Sequence, residues 1–342
     1  MCAGPVARAR SRGLACPATT LDIGGVHIPD SFLSAPVCVG AYCLAGAGLA
    51  LASRRVTAAW NDRTVPLVGV MSAFLFAGQM VNFPVAGGTS GHLLGGVLAA
   101  VLLGPHAGAL VLATVLTVQC LFFQDGGITT LGANLLNLAL VGVYTGYGVF
   151  RWVSRWLPGT RGGGIGIAVG SWCSVVAASA VCALELAASG TAPLRLVLPA
   201  MLLTHALIGV GEALITLAVV SVVQKVRPDL VYRPGATMRL PARAFLLPGL
   251  AASLGIAILI SPLASSLPDG LDWVAGQLPF VERDRAPLAA PLADYQLPGV
   301  ASPALSNLLA AVIGTLLSLV VAWGVARLLA RWVRRPSGGD TA

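Results

Sequence analysis

Apolar stretches long enough to cross a lipid bilayer recur along almost the whole of this 342-residue chain. They lie near 35–53, 66–82, 91–104, 106–123, 131–152, 164–188, 195–223, 244–262 and 304–330. A helix needs about 20 apolar residues to cross the hydrocarbon core, with a workable range of about 17–25. Backbone amides find no water there, so runs of this length imply helices that satisfy their own hydrogen bonds. Only 10% of the residues are charged and the mean hydropathy is +0.85, whereas soluble domains carry about 25% charge. The expected fold is an all-α polytopic membrane helix bundle, with about seven spans in a main bundle and a two-span C-terminal appendage. The third stretch is short, and only Gly104-Pro105 divides it from the fourth. Such interruptions are tolerated where the backbone is buried in protein or lines a cavity.

Basic residues orient the bundle, because inner loops hold an excess of them. With the first span starting outside, fifteen fall inside: Arg54, Arg55, Arg63, Arg151, Arg155, Arg161, Lys225, Arg227, Arg233, Arg239, Arg243, Arg327, Arg331, Arg334 and Arg335. Only Arg195, Arg283 and Arg285 fall in outer loops. The amino end is therefore expected outside and the carboxyl end in the cytoplasm. The net charge of +8 forms no basic stripe, which excludes nucleic acid as a partner. Arg8, Arg10 and Arg12 disobey the rule, in a segment 1–25 that lacks the apolar core of a signal peptide.

This orientation puts three polar tracts, the last two rich in glycine, on the outer face: VHIPDSFL at 26–33, NFPVAGGTSGHLLGG at 82–96 and FQDGGITTLGANLLN at 123–137. The first two hold His27 and His92. Imidazole suits Ni, Co, Cu and Zn, whereas Mg and Ca prefer oxygen. Each histidine taken alone either bonds a loop carbonyl or ligates a metal; as a pair on one face they point to a transition ion. Gly87, Gly88 and Gly91 let backbone pack closely around a small ion. Asn82, Thr89, Ser90, Gln124, Asp125 and Asn134 are candidate polar groups behind the ligands, able to accept from ring N–H groups. His106 follows Gly104-Pro105 on the inner side, as a loop histidine. His205 and Glu212 share a helix face in the seventh span, as a structural polar pair or as coupling residues. Glu185 and Asp125, near helix ends, reach headgroup water on this reading. The seven cysteines contain no C-x-x-C, and those in apolar runs behave as small hydrophobes. Lys225 is the one lysine and has no P-loop spacing around it, so any ATP-driven step belongs to another chain.

HIPDSFL, NFPVAGGTSGHLLGG, FQDGGITTLGANLLN and HALIGVGEALIT, in this order over about 26–225, resemble the CbiM/NikM family. These are substrate-binding membrane subunits of energy-coupling factor importers for cobalt and nickel. The segment 243–335, with PDGLD and ADYQLPG, resembles the PDGLE-type domain, with Asp272 where that motif has glutamate. Its outer loop, 263–303, carries Asp269, Asp272, Glu282, Asp284 and Asp294, either gathering cations or packing over the bundle. The resemblance implies a nitrogen site made by the amine of residue 26, the amide and ring of His27 and the ring of His92. Val26 is preceded here by 25 residues. GTG encodes valine and also serves bacteria as a start codon, so translation is expected to start at Val26, leaving 1–25 untranslated or disordered. The resemblance further implies uptake of Co(II) or Ni(II) for cobalamin synthesis or nickel enzymes. It implies no resident cofactor, a transmembrane coupling subunit and ATP-binding subunits as partners, and a place in the bacterial inner membrane. The alternatives are an intramembrane metal-dependent hydrolase on His27, His92 and Asp125, a metal sensor without transport, and a vitamin-binding subunit of the same importer class. No H-E-x-x-H supports the hydrolase.

Overall fold

The computed structural model of the chain describes residues 27–57, 64–157, 159–233, 243–278 and 289–333. Val26 with the segment before it, and Glu282 and Asp284 of the acidic loop, lie outside the described residues. Helix α1 (Ala35–Thr57) leads to α2 (Thr64–Gln79), a small hairpin of β1 (Phe83–Val85) and β2 (Thr89–Gly91), and α3 (Gly96–Leu103). Then come α4 (Pro105–Phe123), α5 (Leu131–Trp156), α6 (Thr160–Ala188) and α7 (Leu194–Val226). The appendage consists of α8 (Ala244–Leu263), the short α9 (Gly270–Gln277) and α10 (Pro303–Val333).

Seven of these helices, α1, α4 to α8 and α10, are long and apolar enough to cross a membrane. The all-α membrane bundle expected from the apolar runs is therefore present. Two predicted spans fall short. Helix α2 has 16 residues, about 24 Å at 1.5 Å per residue, against a hydrocarbon core of about 30 Å. The 91–104 stretch is not one helix: β2 ends at Gly91, residues 92–95 have no regular structure, and α3 has 8 residues. The cause lies across the bundle. The fully buried Glu212 of α7 accepts from the backbone N–H of Leu94 (2.7 Å) and of Gly95 (3.0 Å). Both donors lie just ahead of the helix, Gly95 at its N-cap and Leu94 before it, so α3 begins at Gly96, with Gly95 left-handed at φ 74°. On the other side Gln79 donates to the Leu94 carbonyl at 3.0 Å. Buried polar backbone is thus paired without continuing the helix.

Helix α4 starts with Pro105 at its first position after Gly104, where proline's missing N–H is no loss. His106 is in that first turn rather than in a loop, and its Nδ1 lies 2.7 Å from the Tyr144 hydroxyl. A Cβ on Gly108 would sit 3.0 Å from the Ala100 nitrogen, so α3 and α4 pack backbone to backbone. Helix α4 closes in a π-turn over Gln119–Phe123, and Gln124 is left-handed at φ 59°. A π-turn widens the helix by one residue and changes the direction in which the next side chains point. Asp125 is aimed by this corner.

Leu75, Phe76, Leu98, Leu112, Leu116, Phe123 and Ile167 fill the core. Leu203, Leu207 and Leu214 of α7 are exposed, as expected of a face turned to lipid. The appendage packs on α2 through small residues. A Cβ on Gly249 would meet Val70 at 2.3 Å, and one on Gly314 would meet Phe76 at 2.1 Å. In apolar solvent, close backbone approach of this kind is what holds helices together. Arg54, Arg55, Arg151, Arg155, Lys225 and Arg331 sit at or near the C-terminal ends of α1, α5, α7 and α10. The three polar tracts gather at the other end.

Candidate metal centre

The HIPD tract lies along the 125–134 tract, and the contact is built from backbone. Asn134 takes both polar groups of Ile28: its Oδ1 accepts from the Ile28 N–H at 3.0 Å and its Nδ2 donates to the carbonyl at 3.2 Å. Gly127 N–H (3.0 Å) and the Thr130 hydroxyl (2.6 Å) donate to the same carbonyl. Asp30 accepts from the Ile128 and Thr129 N–H groups at 3.2 and 2.8 Å. Two glycines make this approach possible. A Cβ on Gly127 would lie 2.4 Å from the Asp30 nitrogen, and one on Gly126 2.9 Å from the His27 Cβ.

This docking brings His27 to Asp125. Its Nδ1 donates to the Asp125 Oδ1 at 2.8 Å, with both side chains essentially closed to solvent. The other ring nitrogen, Nε2, is buried and has no hydrogen-bond partner. His92 arrives from the hairpin side. Its Nδ1 lies 3.2 Å from the Leu93 carbonyl, which fixes the Nδ1–H tautomer and leaves its Nε2 as a donor to a metal. Both histidines therefore follow the pattern in which one nitrogen is held by an oxygen and the other is offered to a metal.

The ring centroids are 5.7 Å apart, at 66° to each other. With a metal–nitrogen bond of about 2.0–2.1 Å, each centroid sits about 3.2 Å from a bound ion, so two rings sharing one ion are about 4.5 Å apart at right angles and about 6.4 Å apart when opposed. The observed separation falls inside that window. Burial, and secondarily the neighbouring His27, push the His92 imidazole down to about 4, against the opposing pull of Asp125. It is neutral, and so able to ligate, at ordinary pH. Among the described residues no three of His, Cys, Asp and Glu converge tightly enough to hold an ion by themselves. The two imidazole Nε2 atoms are the candidate side-chain donors among the described residues.

A small cavity beside the rings is lined by His27, His92, Asn134, Met201, His205 and Asp269. His205 belongs here, contrary to the reading that joined it to Glu212. Its Nδ1 bonds the Met201 carbonyl at 2.8 Å, while Glu212 holds the Leu94 and Gly95 amides. The two do not form a pair. Nor do Asp125 and Glu185 reach headgroup water: both are buried, and the Asn137 side chain donates to Glu185 at 2.6 Å.

Of the six polar groups expected behind the ligands, Asp125 bonds a histidine ring and Asn134 holds the backbone of Ile28, next to His27. The other four turn to the appendage. Thr89 and Ser90 hydroxyls donate to the Pro268 and Leu267 carbonyls at 3.1 and 2.8 Å. Asn82 does so only through its backbone carbonyl, which accepts from Ser265 N–H at 2.8 Å, its side-chain Oδ1 being buried without a partner, and Gln124 Oε1 accepts from Ala290 N–H at 3.2 Å. The start of the acidic loop, around Ser265–Asp272, is accordingly packed down, whereas Asp294 is exposed. Asp269 and Asp272 are buried, and Asp269 caps α9 by accepting the Asp272 N–H at 2.7 Å. Burial pushes the Asp269 carboxyl up to about 6, opposed by that bond. Sequence reasoning missed Tyr295, whose hydroxyl donates to Asp125 Oδ2 at 2.5 Å. The only signal was an aromatic with a polar tip in an acidic, proline-rich loop.

Residues 27–230 match the family model described as the cobalt uptake substrate-specific transmembrane region, and residues 243–331 match the PDGLE domain. An Archaeoglobus fulgidus protein assigned as a fused nickel transport protein NikMN is 37% identical over 308 residues, covering 88% of this chain and 98% of its own. The fused nickel transport protein NikMN of Rhodobacter capsulatus is 34% identical, covering 70% of this chain and 72% of its own. The cobalt transport protein CbiM of Geobacter sulfurreducens is 32% identical, over 61% and 62%. A crystal structure of a transition metal transporter superposes with a TM-score of 0.54 at 33% identity, over 58% of this chain and 93% of the other. With both matched regions in one polypeptide, and the histidine tracts of the first closed over by the second, this chain belongs to the CbiM family and carries a PDGLE domain fused behind it.

Proposed function

We propose that the chain takes up cobalt or nickel ions across the cell membrane as the substrate-capturing subunit of an energy-coupling factor importer. The observation that carries this reading is the pair of imidazoles, His27 buried and His92 half-buried, each with Nδ1 held by an oxygen and Nε2 left to a metal, at a spacing one ion can bridge. Stripping a divalent ion of water is costly, and nitrogen donors replace that shell for first-row ions while rejecting Mg and Ca.

In this arrangement His27 and His92 ligate through Nε2, and the amine of residue 26 adds a nitrogen in a chain that begins there. The chelate implied by the family resemblance also uses the His27 amide. That amide closes a six-membered ring only with Nδ1, so it requires His27 to leave Asp125. Ion capture takes place on the outer face, by the distribution of basic residues, and release requires the helices to move. A coupling membrane subunit and ATP-binding subunits supply that work, since the chain carries no P-loop spacing. His205 lines the cavity beside the two ligands and is the candidate for the ion's next contact.

Metal content of the purified protein tests the reading. After loading with Ni(II) or Co(II) and desalting, the wild-type chain is expected to retain about one ion. His27→Ala and His92→Ala are expected to retain none. Retention by both variants at the wild-type level refutes it.

A further inference from the structure

We propose that Tyr295, in the fused PDGLE domain, is a positioning residue for metal capture: its hydroxyl fixes the Asp125 carboxylate, which in turn sets the His27 ring. The inference rests on the proposed metal capture and goes beyond it by giving the appendage a share in the site.

Asp125 is buried, and its two oxygens are divided between two donors. His27 Nδ1 takes Oδ1 at 2.8 Å and the Tyr295 hydroxyl takes Oδ2 at 2.5 Å. A carboxylate held at both oxygens cannot rotate about its Cβ–Cγ bond without breaking a charge-assisted bond. The ring it holds then keeps its orientation beside His92, with centroids 5.7 Å apart.

Tyr295 is itself firmly held. Its ring stacks on Phe123 at 5.0 Å and 23°, and meets Phe76 at 6.3 Å. Phe123 immediately precedes the Gln124-Asp125 corner. The loop on either side is stitched to the main bundle or to α10. Leu292 N–H donates to the Phe122 carbonyl at 2.9 Å, and Leu297 N–H to the Ser306 hydroxyl at 2.6 Å. Asp294 and Tyr295 are both left-handed, at φ 53° and 57°. Adjacent left-handed residues that are not glycine are disfavoured, and they persist only where surrounding contacts over-determine them. The contacts here direct the phenol onto Asp125.

The test uses the full chain in detergent, with Ni(II) and Co(II) titrated by calorimetry and the ligand-field absorption of the loaded protein recorded. Tyr295→Phe keeps the stacked ring and removes the hydroxyl. It is expected to weaken affinity by about threefold to tenfold, below the effect of removing a ligand's direct partner, and to shift the absorption bands. Its metal-free melting temperature should stay near wild type. In an Asp125→Asn background the same change should add nothing. Wild-type affinity and bands in Tyr295→Phe, with binding still abolished by His92→Ala, would overturn this inference alone. An undiminished Tyr295→Phe effect in the Asp125→Asn background would overturn it too. A wild-type chain that binds neither ion, or a His92→Ala chain that binds normally, would overturn the proposed metal capture and this inference with it.

Discussion

Asp125→Asn distinguishes the two ways His27 can meet an ion. In the structure the carboxylate holds Nδ1, and the ion is left with Nε2. The substitution removes one negative charge beside a divalent ion. It also places an NH2 group against either the imidazole N–H, which then loses its acceptor, or the Tyr295 hydroxyl, which must turn to accept instead of donate. Partners of this kind are worth about 10–100-fold in metal affinity, or about 1.4–2.8 kcal/mol at about 1.4 kcal/mol per tenfold. Calorimetric titration of Ni(II) and Co(II) into wild type and variant reads this directly. A loss of that size is expected for both ions. Unchanged or tighter binding would refute the reasoning. It would mean that the ion takes Nδ1, that the His27 amide joins the chelate, and that Asp125 competes with the metal instead of orienting its ligand.

Glu212→Gln should destabilise the protein by about 1–3 kcal/mol, because its buried carboxylate accepts the Leu94 and Gly95 amides; a melting temperature within a degree of wild type would contradict this. Burial holds His92 at about 4, below the ordinary imidazole value of 6.5. The unfolded chain therefore binds the extra proton first, and stability should fall as pH drops from about 6.5 toward 4. Competition between proton and metal at His92 should likewise begin only near pH 4, so binding lost between pH 8 and 5 comes from other donors; an NMR titration of the His92 ring with a midpoint of 6–7 would refute both statements. Gly127→Ala places a methyl 2.4 Å from the Asp30 nitrogen, so it should push the HIPD tract off its seat and abolish metal binding while the bundle still folds, as read by calorimetry and circular dichroism.

The apolar runs made the bundle legible, since length and hydropathy alone decide whether a helix can cross. The histidine pair and Asp125 were legible because imidazole and carboxylate have few uses in an oily chain. The break at 92–95 was not. Its cause is Glu212, well over a hundred residues away, whose acceptors replace the helical ones at the start of α3. The partners of Asn82, Thr89, Ser90 and Gln124 were hidden for the same reason. Hydroxyl and amide side chains declare a capacity to bond, and only the fold decides that Thr89, Ser90 and Gln124 bond Pro268, Leu267 and Ala290, and that Asn82 meets Ser265 through its backbone carbonyl. His205 was placed with Glu212 by helix spacing, yet one side of α7 faces different neighbours at different depths.

These long-range partners give the fusion of the two domains a physical meaning. The glycine-rich tract that presents His92 has little apolar surface to bury, and its exposed amides need acceptors. Ser90 N–H finds one in the Pro268 carbonyl at 2.7 Å, and the Asp125 corner finds Tyr295. Neither partner belongs to the CbiM region. Supplied by a separate protein, they would have to be captured from solution at the membrane surface. Tethered through α8, they act at an effective concentration in the millimolar range, enough to hold several modest hydrogen bonds closed together. The order of the ligand tracts then depends on the appendage staying docked. Any movement that lifts Pro268 and Tyr295 from the bundle therefore removes support from the tracts that carry His92 and His27 at once.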